Sequence, residues 1–481
     1  MRHLFFRVGG ILLNEKKLGL GSSIAVCVGL IVGTSCLVSL GSGIGQAGRW
    51  FLIPMFFVMV LNSFAGLSFS ELHDLMPNGN GGTSQYLLAG AGPFVSLIGN
   101  MSSFVITMII STCAEMSMCG LVLHDIFLPM VDYRIISIGL IAILFVVNCF
   151  GIDVFAKIQD VIVFLLIASM VVLGVLGVLK VGTGTPVPYS DPGLAGLGGF
   201  GGLMKYAAVA FWLFVGVEFV IPVAKDMKNP NRDVLLSMLL GLVMLYVVKA
   251  ILGWGMTNYV TLPDLNSADL PHMNFSTNLL GQAGRYWMGI ITFLASVSTM
   301  NTIYTSSSRI IQGMAEDGML PKVLGKTNRH DACVPGLLIM GGGIGILIAF
   351  NLALTNSITF MILAASCFWI LTYCLVHLSV LSLRRRYPDA PRKKALTLWG
   401  IPQILGIVGN AYMFWHIDTG AARLKIFAIF GILMALLSLY ALLWIHFKMK
   451  LHPFQPVPLE FINEGKGIAD LQKEGDIWEK S

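Results

Sequence analysis

Charge is what this chain has least of: 12% of its 481 residues are Asp, Glu, Lys or Arg, about half the share usual in soluble globular proteins. That shortfall excludes a large water-facing surface. With 56% hydrophobic residues and a mean hydropathy of +0.80, it predicts a surface turned toward lipid. Metal and disulfide frameworks are missing too. The 8 cysteines contain no CxxC pair; Cys27, Cys36, Cys113, Cys119, Cys149, Cys367 and Cys374 lie in or near apolar runs, and Cys333 sits in a basic loop, so all read as small hydrophobes. No P-loop, HExxH or G-x-S-x-G occurs, which leaves ATP-driven pumping, zincin chemistry and serine hydrolysis without support. The reading is a non-enzyme with no cofactor. Basic residues fall in short clusters between apolar runs, where they set topology and do not form a nucleic-acid surface. The first residues are interrupted by Gly9 and Gly10 and lack a small-residue cleavage site, so residues 1–20 read as a cytoplasmic lead-in, not a signal peptide.

What the chain has is apolar length. Runs fall at about 21–44, 51–72, 93–123, 134–150, 158–179, 204–224, 234–259, 286–313, 336–354, 358–381, 398–416 and 424–447. A spanning helix needs roughly 20 apolar residues, so the expectation is an all-α polytopic membrane protein of about twelve spans over 21–447. Segment 448–481 is then a loosely ordered cytoplasmic tail. Lys225, Lys228, Arg232, then Lys322, Lys326, Arg329, then Arg384, Arg385, Arg386 and Arg392 fall on the same side when the N-terminus is inside. The positive-inside rule therefore predicts both termini in the cytoplasm, in a plasma (inner) membrane.

Two of the runs depart from ordinary spans. The first, VGLIVGTSCLVSLGSG, carries Gly29, Gly33, Thr34, Ser35, Gly41 and Gly43; the sixth, FWLFVGVEFVIPVAKDMKNP, carries Gly216 among aromatics, followed by Glu218 and Pro222. Paired interruptions five spans apart match transporters in which opened helices meet a substrate near the midplane.

Four stretches carry a family resemblance along about residues 18–445: VGLIVGTSCLV at 28–38, SELHDLMPNGNGGTSQYLLAGAGP at 70–93, FWLFVGVEFVIPVAKDMKNPNRD at 211–233 and SRIIQGMAEDGMLPK at 308–322. Together they resemble the amino acid–polyamine–organocation (APC) family of secondary transporters. The resemblance implies a LeuT-like five-plus-five inverted repeat (about 21–180 and 204–382), with discontinuous helices 1 and 6 and two further helices (about 398–447). It also implies alternating access. It places the substrate carboxylate at Gly33, Thr34 and Ser35, an aromatic cover at Trp212, the second break at Val215, Gly216 and Val217, and an acid beyond it at Glu218. Ser298 and Thr299 match hydroxyl positions that bind sodium in coupled relatives of the fold. Two positions depart from the pattern: Ser35 replaces a second glycine at the first break, and a position eight residues after Gln159 falls near Leu166, where some relatives carry a lysine.

Ionisable residues inside spans cost about 2.5–3.5 kcal/mol on insertion scales and are functional by default. Thr107, Ser111 and Glu115 recur every four residues and predict a polar stripe offering a carboxylate to a cationic head group. Trp212 and Phe214 flank the second break with faces suited to a cation. Glu218 is the candidate for proton coupling, with Ser298 and Thr299 allowing sodium instead. Lys249 is a lone seventh-span cation whose expected partner is an acid such as Glu115 or Glu218. His377 reads as a packed histidine, and Glu71 and Asp317 as gate or salt-bridge residues. The expected function is amino-acid import or exchange, the substrate amine near Trp212 and Glu115. The alternative is a polyamine or other organic-cation carrier. A solute sensor is disfavoured by the shortness of segment 448–481.

Overall fold

The structure, a computed structural model, describes residues 18–464 except 30, 78–82, 151–152, 353–357, 393–397 and 419, and omits the side chains of 153–160, 222–223 and 225–226. Helices account for every regular element among the described residues, and the lone β-bridge joins Leu18 to Met227. In a bilayer, backbone N–H and C=O groups have no water to turn to, so a chain this apolar satisfies them within helices.

The first apolar run forms two helices, α1 (Leu20–Gly29) and α2 (Thr34–Ala47); a turn at Gly48 leads into α3 (Leu52–Leu75). Next come α4 (Thr83–Ala91) and α5 (Pro93–Asn100), which continues through a π-helical segment, Met101–Thr107, into α6 (Met108–Ile126). α7 (Tyr133–Cys149) and α8 (Asp153–Leu179) follow. Two short helices, α9 (Gly193–Gly196) and α10 (Gly199–Met204), lead into the sixth run, which is α11 (Ala207–Phe211), a turn and a 3-10 helix, Val217–Asp226. After it come α12 (Pro230–Met256), α13 (Leu262–Ser267), α14 (Pro271–Glu316, kinked at Gly281), α15 (Val334–Ala349), α16 (Ile358–Arg386), α17 (Ile401–Trp415), α18 (Ala422–Trp444) and α19 (Leu459–Asn463). Among the described residues each apolar run thus falls largely on helix, and the first and sixth are interrupted. Six helical stretches among the described residues are long and apolar enough to cross a membrane: Thr34–Leu75, Pro93–Ile126, Val161–Leu179, Pro230–Met256, Ile358–Arg386 and Ala422–Met449.

α2, α6, α11, α14 and α16 surround the centre of the bundle, whereas α18 presents Leu424, Ile432, Leu436 and Leu439 outward. α12 packs along α8 closely enough that a Cβ on Gly255 would lie 2.8 Å from the Gly174 carbonyl oxygen. His377 is packed, as expected: its Nδ1 lies 2.9 Å from Ser68 Oγ, to which Gln403 also donates, so one buried polar knot joins α3, α16 and α17. On the basic side of the bundle, Arg384 and Arg392 both donate to the Glu71 carboxylate, at 2.5–3.1 Å, tying α3 to the end of α16.

One expectation is corrected. Residues 451–464 are not loose: Val457, Leu459, Phe461 and Ile462 are buried. Phe94 N–H donates to the Pro453 carbonyl, Val457 N–H to the Leu88 carbonyl and Asn463 Nδ2 to the Leu75 carbonyl. Widely spaced apolar anchors in a polar stretch hold it down. The lead-in 1–17 and the end 465–481 lie outside the described residues.

Candidate functional site

α2 begins inside the bundle. Gly33 is its N-cap, extended at φ −79° and ψ 163°, with no side chain capping the helix. The first N–H groups of a helix have no partner within it and carry the positive end of its dipole. Here Glu115 supplies the partner. Thr34 N–H donates to Glu115 Oε1 and Ser35 N–H to Glu115 Oε2, both at 2.7 Å. Ser296 Oγ on α14 donates to Oε1 at 3.2 Å. The carboxylate is 1% exposed, and these charge-assisted bonds offset the removal of its water. Gly33 makes the approach possible: a Cβ there would sit 3.2 Å from both Glu115 Oε2 and Thr299 Oγ1.

The second break lies alongside. After α11 the chain turns through Trp212–Gly216, with Gly216 at φ 113°, a left-handed conformation that a side chain would strain. The Trp212 and Leu213 carbonyls are drawn into tertiary bonds. Cys36 Sγ donates to the first at 3.3 Å and Lys249 Nζ to the second at 2.5 Å. Lys249 is fully buried, lies 5.7 Å from the centre of the Phe214 ring, and makes no ion pair among the described residues. The expected pairing with Glu115 or Glu218 is therefore corrected. The ammonium takes a carbonyl freed by the helix break, the negative end of a half-helix dipole. Trp212 Nε1 donates to Ser35 Oγ at 3.1 Å, so the side chain that replaces a glycine in the first break is bonded to the second break.

Glu218, 3% exposed, is clasped by α16: Trp369 Nε1 donates to Oε1 and Tyr373 Oη to Oε2, each at 2.8 Å. Trp369 stacks on Phe219 and its other contacts reach a small cavity, which places Glu218 one layer behind the cavity wall.

That cavity, of about 40 Å³, is lined by Ser35, Ser111, Thr112, Glu115, Trp212, Val215, Gly216, Thr299 and Trp369, with Ile31, Cys36, Met108 and Ile303 supplying apolar wall. It is room for a few waters at roughly 10–15 Å³ each. Thr112 Oγ1 and Thr299 Oγ1 are buried without hydrogen-bond partners among the described residues.

Most of the sequence-derived residues converge here. Gly33, Thr34 and Ser35 meet Glu115; Trp212, Val215 and Gly216 form the opposite wall; Ser111 and Thr299 complete it, with Ser298 buried beside Thr299. Three stand apart: Glu218 lies behind the Trp369 wall, Thr107 donates to the Ser102 and Ala365 carbonyls outside the lining, and Phe214 lies against Lys249. Thr112, Ser296, Trp369 and Tyr373 were not anticipated. Thr292, Ser296 and Thr299 recur at helical spacing on α14, a polar stripe that could have been found; Trp369 and Tyr373 read as ordinary aromatics of a spanning run and carried no such sign.

A family model described as amino acid permease matches residues 18–457. Similar curated proteins include the branched-chain amino acid permease BcaP of Bacillus subtilis (strain 168), 23% identical over 439 residues, covering 84% of this chain and 88% of that protein. The histidine permease HisP of Lactococcus lactis subsp. cremoris (strain MG1363) is 21% identical over 384 residues, covering 75% and 78%. The L-methionine/branched-chain amino acid exporter YjeH of Escherichia coli (strain K12) is 28% identical over 187 residues, covering 37% and 42%.

Proposed function

Because this chain belongs to the amino acid permease family of APC transporters, we propose that it is a multi-pass secondary active transporter moving amino acids, or amines built on the same skeletons, by alternating access. The observation that carries this reading is the meeting of two helix breaks at one buried cavity, bridged by the Trp212–Ser35 hydrogen bond. Opened backbone inside a membrane persists only where protein or a cavity satisfies it, and substrate sites form there.

In this reading residues 21–447 form the transporter domain, with five-plus-five inverted repeats at about 21–180 and 204–382 and two further helices. Twelve spans put both termini in the cytoplasm of a plasma (inner) membrane. Trp212 and Trp369 are the walls that move to admit solute; Ser111, Thr112, Thr299 and Glu115 face it. Glu218, held by Trp369, is the proton-coupling group, because any change in its charge alters the bond that orients a cavity wall. Sodium at Ser298 and Thr299 is the competing coupling scheme. Relatives named for branched-chain amino acids and for histidine support leucine and histidine as first probes. The organic-cation alternative gains from one observation: Glu115 already occupies the N–H groups at which a substrate carboxylate was expected.

The test is flux in proteoliposomes preloaded with unlabelled solute. Saturable uptake of labelled leucine, histidine or their amines, accelerated by solute on the far side, is the expected result. Flux that rises linearly without saturation for all of them would abandon carrier transport.

A further inference from the structure

We propose that Glu115 replaces the carboxylate of the solute, so that this site selects amines lacking an α-carboxyl group. The inference rests on the transporter reading above and names the class of solute within it.

A helix start of 14 residues could bind a carboxylate from any source. In this chain the source is internal: the two Glu115 oxygens each take one N–H, from Thr34 and Ser35, and Ser296 supplies a third bond. A second carboxylate could enter only by expelling the first into a buried position without those donors, or by lying against it as a like charge in a low-dielectric interior.

The rest of the wall repeats this preference. Among the described residues the side-chain N–H donors nearest the cavity are engaged: Trp212 Nε1 with Ser35, Trp369 Nε1 with Glu218, and Lys249 Nζ with the Leu213 carbonyl. Two hydroxyls are on offer, each able to accept from an ammonium as well as to donate. Thr112 Oγ1 and Thr299 Oγ1, 1% and 9% exposed by residue, line the cavity without partners among the described residues. Thr299 Oγ1 and Glu115 Oε2 converge on the Gly33 position at 3.2 Å. An ammonium brings three donors and a positive charge, and it suits oxygens and the indole faces of Trp212 and Trp369. Among the described residues a carboxylate finds no free cation at this wall, because Lys249 is bonded to the Leu213 carbonyl, and the N–H groups of Thr34 and Ser35 are taken by Glu115.

Matched pairs test this with the purified full-length chain: isopentylamine against leucine, histamine against histidine, and cadaverine against lysine, by thermal shift and by competition for labelled uptake. For at least one pair the amine is expected to bind about tenfold or more tighter than its amino acid, a difference of RT ln 10 in binding free energy. Glu115→Ala, which frees the Thr34 and Ser35 N–H groups, is expected to invert that order, gaining the amino acid and losing the amine. Glu115→Gln keeps the side-chain volume, and should lose the amine about tenfold without gaining the acid; it serves if the alanine variant does not fold. Amino-acid binding by the wild type that exceeds the amine in every pair would overturn the proposal, as would an unchanged amine affinity in Glu115→Gln or silence of every amine. Amine binding without saturable flux would instead overturn the transporter reading and leave this assignment standing.

Discussion

At the scale of single residues, Glu218 takes an indole and a phenol donor and, among the described residues, no cation, a balance sensitive to one proton. Glu218→Gln is expected to leave saturable uptake but flatten its pH dependence, read as initial rates in proteoliposomes across a pH series. A variant with intact uptake and the wild-type pH profile would assign Glu218 to holding α16 alone. Both acids were legible in the sequence, because an ionisable side chain in an apolar run has few ordinary explanations. Their partners were not. The partners of Glu115 include two backbone N–H groups eighty positions away, and backbone groups leave no residue-type signature. Lys249 misled for a related reason: in sequence an acid looks like its natural partner, yet a broken helix offers carbonyls that no composition records. Thr107 shows the limit of periodicity. At 3.6 residues per turn an i, i+4 row drifts about 40° per step, so two steps rotate Thr107 away from Glu115 and toward the α16 backbone.

Among the elements, the interrupted helices were the most legible, since glycines in the first and sixth runs mark where continuous helix is weakest. The π-helical segment Met101–Thr107 was not, because a wide turn changes hydrogen-bond register without changing residue type. The end of α14 yields a prediction of its own. Asp317 caps that helix at its C-terminal end, and burial, aided by neighbouring Glu316, pushes its carboxyl up to about 6 from an ordinary value of 3.8. A raised folded-state value means that the folded protein holds this proton more tightly than the unfolded chain. Asp317 is therefore neutral in its effect below the unfolded value and destabilising as pH rises through about 6. Asp317→Asn should raise the melting temperature in detergent at pH values above that range and leave it unchanged well below the unfolded value. Equal gains at both ends of the pH scale would mean that its charge has no part in the effect.

For the molecule as a whole, Glu71 with Arg384 and Arg392 joins α3 to the end of α16, its side chains only 10%, 17% and 7% exposed. Removing one partner of a buried ion cluster costs on the order of 3 kcal/mol, so Glu71→Gln should lower the melting temperature by several degrees. If α3 and α16 must part for solute to leave, the same variant should also exchange solute faster. Lower stability with slower exchange would make the cluster a static brace. The strap formed by residues 453–463 bears on how such a bundle is made. Backbone groups of Leu75, Leu88 and Phe94, near the start of the chain, are bonded by residues near its end. A ribosome therefore delivers the early helices to the membrane before residues 453–463 exist, and these bonds form only once that later segment has been synthesised and folded back. A late segment completes an early part of the bundle, so a chain stopped short of residue 453 would be left with an unfinished beginning as well as a missing end.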